Sequence, residues 1–418
     1  MKRYEKYKPS GVEWIGEIPE HWSLATVGRV STIGRGRVIS HVEIGENAGE
    51  YPVYSSQTEN NGVMGYLNTF DFDGEYVTWT TDGANAGTVF HRKGKFNCTN
   101  VCGTIQPKNG EQIDLRYLPY FLNLGTRYSV RLDINPKLMN NMMAKIPFVI
   151  PPKKEQATIA NFLDEKTTQI DALIANKQKL IELLKEERTA IINHAVTKGI
   201  NPKAKLKPSS IEWLGDIPEH WEVKKLSYGF NKIGSGTTPA SGNAEYYNNG
   251  IINWLQTGDL NDGEINSTSK KITVQALKDY TTLREYPIGS LVIAMYGATI
   301  GKVGILNIAT TTNQACCVIA EPISFDTTYV FYWFICNKEY VVSKSYGGGQ
   351  PNISQELIKS LRLPCPPKTE QTQIVQHIET STQAIDATIS KIEKEIELLQ
   401  EYRTAIISEV VTGKIKVI

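Results

Sequence analysis

The sequence predicts an α+β protein: two strand-rich α/β globular parts and two long antiparallel coiled-coil helices, arranged as an internal pseudo-two-fold repeat. Three observations predict it. The segment Glu13-Trp14-Ile15-Gly16-Glu17-Ile18-Pro19-Glu20-His21-Trp22 returns almost unchanged from Glu212 to Trp221, 199 residues further on. A second echo, Ile181 to Ile192, returns from Ile396 to Ile407, 215 residues further on. Each echo of this second kind sits in a long stretch free of proline and glycine, with apolar residues at heptad spacing. A repeat of about half of 418 residues argues for two copies of one unit. The growth of the offset from 199 to 215 puts the length changes between the landmarks, so a shared frame encloses different filling.

The elements follow in order. The first globular part is expected over 1–152, where Glu75-Tyr76-Val77-Thr78-Trp79-Thr80 reads as a strand and Tyr117 to Leu124 as a short helix. Pro151-Pro152 mark the start of the first long helix, expected over 153–200, because proline disfavours helix in the residue before it. Its apolar residues recur at Ile170, Ile174, Ile181, Leu184, Ile191 and Ala195, and Gly199 and Pro202 end it. The second globular part is expected over 201–367, with strands at Ser290 to Met295 and Ala315 to Ile319 and a short helix from Tyr329 to Cys336. Pro366-Pro367 introduce the second long helix, 368–418, with a cleaner seam at Ile385, Ile389, Ile392, Ile396, Leu399, Ile406 and Val410, broken by Arg403. Narrow apolar stripes of this length are costly to expose, so the two helices are expected to pack on each other. Chain order favours an antiparallel pair, since the second globular part must join the end of one helix to the start of the other.

Composition excludes some classes. Hydrophobic residues make up 40% and charged residues 21%, ordinary for a soluble globular protein with enough apolar material for two cores. No run of about 18 apolar residues exists to span a membrane. The charged start, Met1 to Pro9, is not followed by the apolar stretch of a signal peptide. Six cysteines (Cys98, Cys102, Cys316, Cys317, Cys336, Cys365) form no Cys-x-x-Cys pair and complete no zinc spacing with histidine, so no metal is expected. Unpaired thiols in apolar surroundings suit a reducing cytoplasm. The net charge of +1 neither supports nor excludes nucleic acid, because basic residues can cluster and be cancelled elsewhere.

No catalytic constellation emerges. Gly297-Ala298-Thr299-Ile300-Gly301-Lys302-Val303-Gly304 looks like a phosphate loop but is one residue short, and Val303 stands where Ser or Thr should hold magnesium. Its counterpart, Gly83-Ala84-Asn85-Ala86-Gly87-Thr88-Val89, has no lysine. A glycine-rich turn between strands is the expectation for both. Gly34-Arg35-Gly36 and Gly234-Ser235-Gly236 recur at similar positions without continuing as a dinucleotide fingerprint, and Gly347-Gly348-Gly349 is a loop signal. The adenine-methyltransferase tetrapeptides Asn-Pro-Pro-Tyr and Asp-Pro-Pro-Tyr are absent. His21 and His220 occupy equivalent places in the repeated frame, which favours packing or hydrogen bonding over catalysis.

The duplicated Glu-Trp-x-Gly-x-Ile-Pro-Glu-His-Trp opening, the Pro-Pro-x-x-Glu-Gln motifs at Pro151 to Gln156 and Pro366 to Gln371, and the heptad helices resemble the specificity subunit of type I restriction-modification systems. So do Ser235-Gly236-Thr237-Thr238-Pro239, Thr312-Asn313-Gln314 and Gly347-Gly348-Gly349. The resemblance covers nearly the whole chain. It implies a non-catalytic, sequence-specific DNA-binding subunit whose globular parts are target recognition domains, each reading one half of a bipartite double-stranded DNA site. It further implies that the helices set the spacer and dock two methyltransferase subunits, with Ile170, Ile174, Ile181, Leu184, Ile385, Ile389, Ile392 and Ile396 as helix positions for partners. Restriction/translocase subunits would complete the complex. S-adenosylmethionine would belong to the methyltransferase, and ATP and magnesium to the nuclease subunit, with no cofactor in this chain.

Base edges are read by Arg, Lys, Asn, Gln, Ser and Thr, and phosphates are held by basic groups and amides. In the first half such groups concentrate at Arg35, Arg37, Tyr54, Ser55, Ser56, Gln57, Asn60, Asn61, Thr80, Thr81, Asp82, Asn85, Arg92 and Lys93. In the second they are Ser235, Thr237, Thr238, Gln256, Thr257, Asp259, Tyr296, Thr299, Lys302, Asn313, Gln314, Gln350 and Asn352. Gly-Arg-Gly-Arg replaces Ser-Gly-Thr-Thr-Pro in the first half, and the Tyr51 to Gln57 stretch has no evident twin, so the two half-sites are expected to differ. Two rival readings are a helical protein-binding adaptor and a self-sufficient DNA-modifying enzyme with a diverged site. Steep loss of affinity with salt separates DNA binding from the first, and cofactor binding by the isolated chain identifies the second.

Overall fold

The computed structural model describes residues 2–110, 112–132, 135–346 and 351–417. They divide into two compact units, Met1–Gln178 with Glu393–Ile418, and Lys179–Ile392. Each long helix is therefore shared, its first and last parts contributing to different units.

The first long helix runs Lys153–Lys198 and the second Lys368–Val411. Each begins directly after its proline pair, and Glu155 or Glu370 lies in the first turn, where a carboxylate complements the positive end of the helix dipole. Gly199 and Gly413 follow the last turns with φ of +77° and +75°, the left-handed conformation that closes a helix. The first helix starts three residues before Gln156, because Pro152 O accepts the amides of both Glu155 and Gln156 and nucleates the opening turn. The helices are antiparallel: in the first unit Arg403 pairs with Asp171 through Nε (2.8 Å) and Nη2 (3.1 Å), and Lys177 pairs with Glu395. In the second unit Arg188 Nε lies 2.8 Å from Asp386 Oδ1. Lys177 and Arg188 of the first helix and Arg403 of the second, the three interruptions of the heptad pattern, are thus spent on interhelical ion pairs.

The expected seam positions Ile170, Ile181, Ile385 and Ile392 are buried, and Ile174, Leu184, Ile389 and Ile396 are half-buried. The first four are covered within the chain, and the other four keep part of their surface exposed. The seam shifts near its end, where Ile192, not Ile191, is fully buried. The cause is local: Ile192, Ala195 and Val196 enter the core of the second unit beside Trp221, Tyr329 and Trp333. In the first unit Ile406, Val410 and Val411 join Trp22, Phe121, Phe148 and Leu163 in the same way.

The sheets show the repeat strand by strand. In the first unit six strands lie in the order Ser31–Arg35, Cys102–Pro107, Phe72–Thr80, Val89–Cys98, Ala48–Tyr54, Val63–Leu67. In the second, five lie in the order Phe230–Ser235, Cys316–Pro322, Leu291–Ala294, Val303–Leu306, Gly263–Ile265. The first four strands of each sheet correspond and are antiparallel, and in each a parallel strand follows. Beyond that point the units differ. The first adds a hairpin partner to Ala48–Tyr54, whereas the second builds a separate three-stranded sheet from Lys270–Ile272, Ile252–Leu255 and Thr311–Thr312. The short helices Tyr117–Gly125 and Thr327–Cys336 pack behind the shared strands. Their buried tyrosines tie each short helix to a long one: Tyr117 Oη donates to Val411 O (3.1 Å), and Tyr329 Oη to Val196 O (2.8 Å).

Candidate nucleic-acid interface

The duplicated motifs meet in space within each unit. His21 Nε2 lies 3.0 Å from Glu155 Oε2, and His220 Nε2 lies 2.8 Å from Glu370 Oε2, so the His of Pro-Glu-His-Trp is bound to the Glu of Pro-Pro-x-x-Glu-Gln. The neighbouring glutamines are fully buried. Gln371 accepts from Asp326 N (2.6 Å) and donates to Ser324 O (2.9 Å) and Pro366 O (2.8 Å), and Gln156 does the same with Asp114 N, Gln112 O and Pro151 O. These are structural clamps holding the proline pair and the segment before each short helix on the start of the long helix.

The glycine-rich segments are matching turns between strands. Gly83, Gly87, Gly297 and Gly301 have φ of +86°, +89°, +84° and +75°, where a side chain is strained. Gly87 N donates to Thr80 O at 2.8 Å, and Gly301 N to Ala294 O at 2.9 Å. A strand, Val303–Leu306, follows the second turn, so there is no helix N-terminus to receive a phosphate.

The same bonds align the tips of the two sheets. Thr81 N donates to Val101 O and Met295 N to Ala315 O; Leu138 N donates to Thr81 O and Ile353 N to Met295 O. Asp82 bridges to Lys137 as Tyr296 bridges to Asn352, and Arg35 faces Gly103 in the strand register as Ser235 faces Cys317. Arg35, Asp82, Asn100 and Lys137 of the first unit therefore stand where Ser235, Tyr296, Gln314 and Asn352 stand in the second. In the first cluster Arg35 donates through Nε to Asn100 O and through Nη2 to Thr81 Oγ1 (3.3 Å). Asp82 lies 3.7 Å from both Arg35 and Lys137, with side-chain exposures of 30%, 33% and 51% respectively. In the second cluster Ser235 Oγ donates to Gln355 (3.3 Å), Thr238 Oγ1 to Gln314 Oε1 (2.5 Å), and Asn313 Oδ1 accepts from Ala315 N (3.1 Å). Burial raises the pKa of Tyr296, keeping its phenol a neutral donor. Asn100 and Lys137 are the residues that sequence reasoning missed. A signal existed: Pro136 and Pro351 are 215 apart, the same offset as the two proline pairs, and Lys137 and Asn352 follow them.

Other predicted residues fall into distinct roles. Arg37 is held by Glu43 (2.6 Å) and Asp71 (3.0 Å), which raise its pKa and occupy its charge. Lys93, well exposed, faces Glu75 at 3.3 Å. Gln57, Asn60 and Asn61 are exposed on the loop after Ala48–Tyr54, with Ser55 and Ser56 half-buried at its base; Asn60 and Asn61 adopt φ of +47° and +53°. Asn85 is exposed in its turn. Thr299 and Lys302 are half-buried in theirs. Thr80 and Thr81 are buried, and Thr80 Oγ1 is spent on Thr88 N (3.1 Å) and Asn85 O. Asp259 caps its own turn, accepting from Gln256 N (2.8 Å) and Ser269 N (3.0 Å), with Thr257 half-buried between. Thr237 O accepts from Trp254 Nε1 at 3.2 Å. Gln350 lies outside the described residues, as do Gly347 to Gly349.

Arg92 is corrected from surface to interior. Only 3% exposed, its guanidinium lies 3.6 Å from the Tyr54 ring centroid and 4.3 Å from that of Phe90, with Nε on Thr78 Oγ1 (3.1 Å). Burial lowers its pKa, and the facing π-systems stabilise the cation in place of water. The thiols are inert candidates for chemistry, since burial pushes Cys317 and Cys336 up to about 12. Among the described residues no group of His, Cys, Asp and Glu has the arrangement to hold a metal.

The family described as type I restriction modification DNA specificity domain matches residues 19–185 and 218–398, once per repeat. The type I restriction enzyme MpnII specificity subunit of Mycoplasma pneumoniae is 39% identical over 159 residues, 38% of this chain and 48% of that protein, so the match spans about half that relative's length. The type I restriction enzyme MjaVIII specificity subunit of Methanocaldococcus jannaschii is 28% identical across 96% of this chain and 94% of its own. Among solved structures, a chain from work on complex assembly and conformational transition of the type I R-M system aligns with a TM-score of 0.74 at 13% identity, covering 95% of this chain and 99% of that one. The HsdS subunit from Thermoanaerobacter tengcongensis aligns with a TM-score of 0.52 at 14% identity, covering 95% and 98%. At these identities the structural likeness concerns the fold.

Proposed function

Because the chain belongs to the family of type I restriction-modification DNA specificity domains, we propose that it is the sequence-reading, non-catalytic subunit of such a complex, each globular part reading one half of a split site. One observation carries this reading: the two sheets present clusters at equivalent tips, built on the same backbone bonds but carrying different side chains. A conserved scaffold with exchanged polar groups suits a reader of two different words. The target recognition domains would be 1–152 and 201–367, with spacer helices 153–200 and 368–418.

The helices supply the docking surface. The outer apolar residues of the helices, Leu173, Leu398 and Tyr402 in the first unit and Leu180 and Leu183 in the second, all exposed, are the ones that two methyltransferase subunits would cover. S-adenosylmethionine would reside in that partner, which would flip and methylate an adenine. Restriction subunits, with ATP and magnesium, would join it. No helix among the described residues is long and apolar enough to cross a membrane, and a cytoplasmic location suits a reader of chromosomal DNA.

The test is co-expression of the full chain with its methyltransferase and genome-wide mapping of modified adenines. The expected result is a bipartite motif with two unlike halves. A palindromic motif would sink the unlike-halves reading, and modification without sequence preference would sink the function.

A further inference from the structure

The two tip clusters differ in charge in a way that bears on which bases are read. The second-unit positions Ser235, Tyr296, Gln314 and Asn352 are all uncharged. Their first-unit equivalents are a cation, a carboxylate, an amide and a second cation: Arg35, Asp82, Asn100 and Lys137.

We infer that the first-unit cluster selects a G·C base pair, with Arg35 and Lys137 donating to the guanine edge and Asp82 accepting from cytosine. This rests on the DNA-reading function proposed above. In the major groove guanine offers two acceptors, O6 and N7, and cytosine one donor, the N4 amino group; adenine and thymine each place a mismatched group in that pattern. Arg35 and Lys137 are donors only. Arg35 is fixed at Nε by Asn100 O and at Nη2 by Thr81, which leaves Nη1 without a hydrogen bond among the described residues, and Lys137 is half exposed. Asp82 lies between them at 3.7 Å from each, beyond hydrogen-bond length, so it orients both cations without consuming their donors. Thr81 Oγ1 donates to Asp82 Oδ2 at 3.1 Å and fixes the carboxylate plane. Simple phosphate binding is the less suited role, because a carboxylate placed between the two cations repels a phosphate as strongly as it complements an amino group. The second unit, lacking any charge at these four places, follows a different code and serves as an internal control.

The test uses the full chain co-expressed with its methyltransferase, as wild type and as Lys137→Asn, Arg35→Ser and Lys137→Arg, with modified adenines mapped genome-wide. Lys137→Asn and Arg35→Ser install the second unit's residues on a backbone that already accommodates them there. The expected wild-type motif has an invariant G·C pair in one half. Both variants relax that position by about 10- to 100-fold in relative modification and leave the other half intact, whereas the conservative Lys137→Arg retains the preference. The intact half shows that the variant chain is folded and assembled. Uniformly weaker modification with an unchanged motif would mean phosphate contact only and would overturn the inference, as would loss of preference in the other half, loss of all modification, or a wild-type half-site with no fixed G·C pair. A wild-type map with no bipartite motif would instead overturn the function on which it rests.

Discussion

Gly236→Ala tests whether close backbone approach at the sheet tip is what places the groups proposed to read DNA in the second unit. A Cβ added at Gly236 would sit 1.7 Å from Thr312 O and 2.7 Å from its carbonyl carbon. Ordinary C···O contact needs about 3.3 Å, so the two segments must separate by about 1.5 Å. The obstacle is backbone, which cannot rotate away, and overpacking of this kind costs about 1–3 kcal/mol. The separation also breaks the 3.0 Å bond from Gly236 N to Thr312 Oγ1, about another 1 kcal/mol. For a unit of this size about 2–4 kcal/mol lowers the melting temperature by about 5–15 °C, measurable by calorimetry on the full chain. Ser235, Thr237 and Thr238 lie beside the displaced residue, and Asn313 and Gln314 follow the carbonyl it strikes. Methylation mapping should therefore show the second unit's half-site relaxed by at least about tenfold with the first intact, since a 1 Å misplacement defeats bidentate readout. A melting temperature within about 1 °C of wild type together with an unchanged motif would refute the reasoning. Equal damage to both half-sites would refute its local character.

Arg92→Lys, which keeps the charge but loses the planar stack between Tyr54 and Phe90, should destabilise the first unit by about 1–3 kcal/mol in urea unfolding while leaving the salt dependence of DNA binding unchanged. Arg92→Gln, which removes the charge, should likewise leave the slope unchanged, and a slope lower by about one unit in that variant would instead restore Arg92 to the phosphate contacts. His91 has its pKa lowered by burial, and its Nε2 is buried without a partner, so the folded state favours the neutral ring. The unfolded chain then binds the extra proton first, and stability should fall as pH drops through the ordinary histidine range near 6.5, a slope that His91→Gln flattens in denaturation curves taken between pH 7.5 and 5. Gln371→Leu removes three hydrogen bonds to backbone groups at a fully buried site, and a loss of about 3–5 kcal/mol in the second unit is expected by equilibrium unfolding. A loss below 1 kcal/mol would show that water reaches those groups.

The amino-acid sequence alone determined the duplication, the two long helices and their antiparallel pairing, and the strand-rich character of the parts between. Those features are periodic or repeated, so they are written in residues close along the chain or copied at a fixed offset. It also singled out polar residues that the structure gathers at the sheet tip, such as Arg35 at a strand end and Asp82 beside the Gly83 turn, because strand ends and turns carry local signals. What it left open was decided by long-range packing. Arg92 reads as a surface cation until Tyr54 and Phe90 close over it, and packing alone decides that Ile170, Ile181, Ile385 and Ile392 of the seam are buried while Ile174, Ile389 and Ile396 stay half-buried. Lys137 is an ordinary polar residue in sequence and becomes half of a charge cluster only when its bridge to Asp82 brings it beside Arg35. The physical reason is common to all three. Burial and charge pairing depend on groups tens of residues apart, and no local pattern records which of them the folded sheet brings within 4 Å.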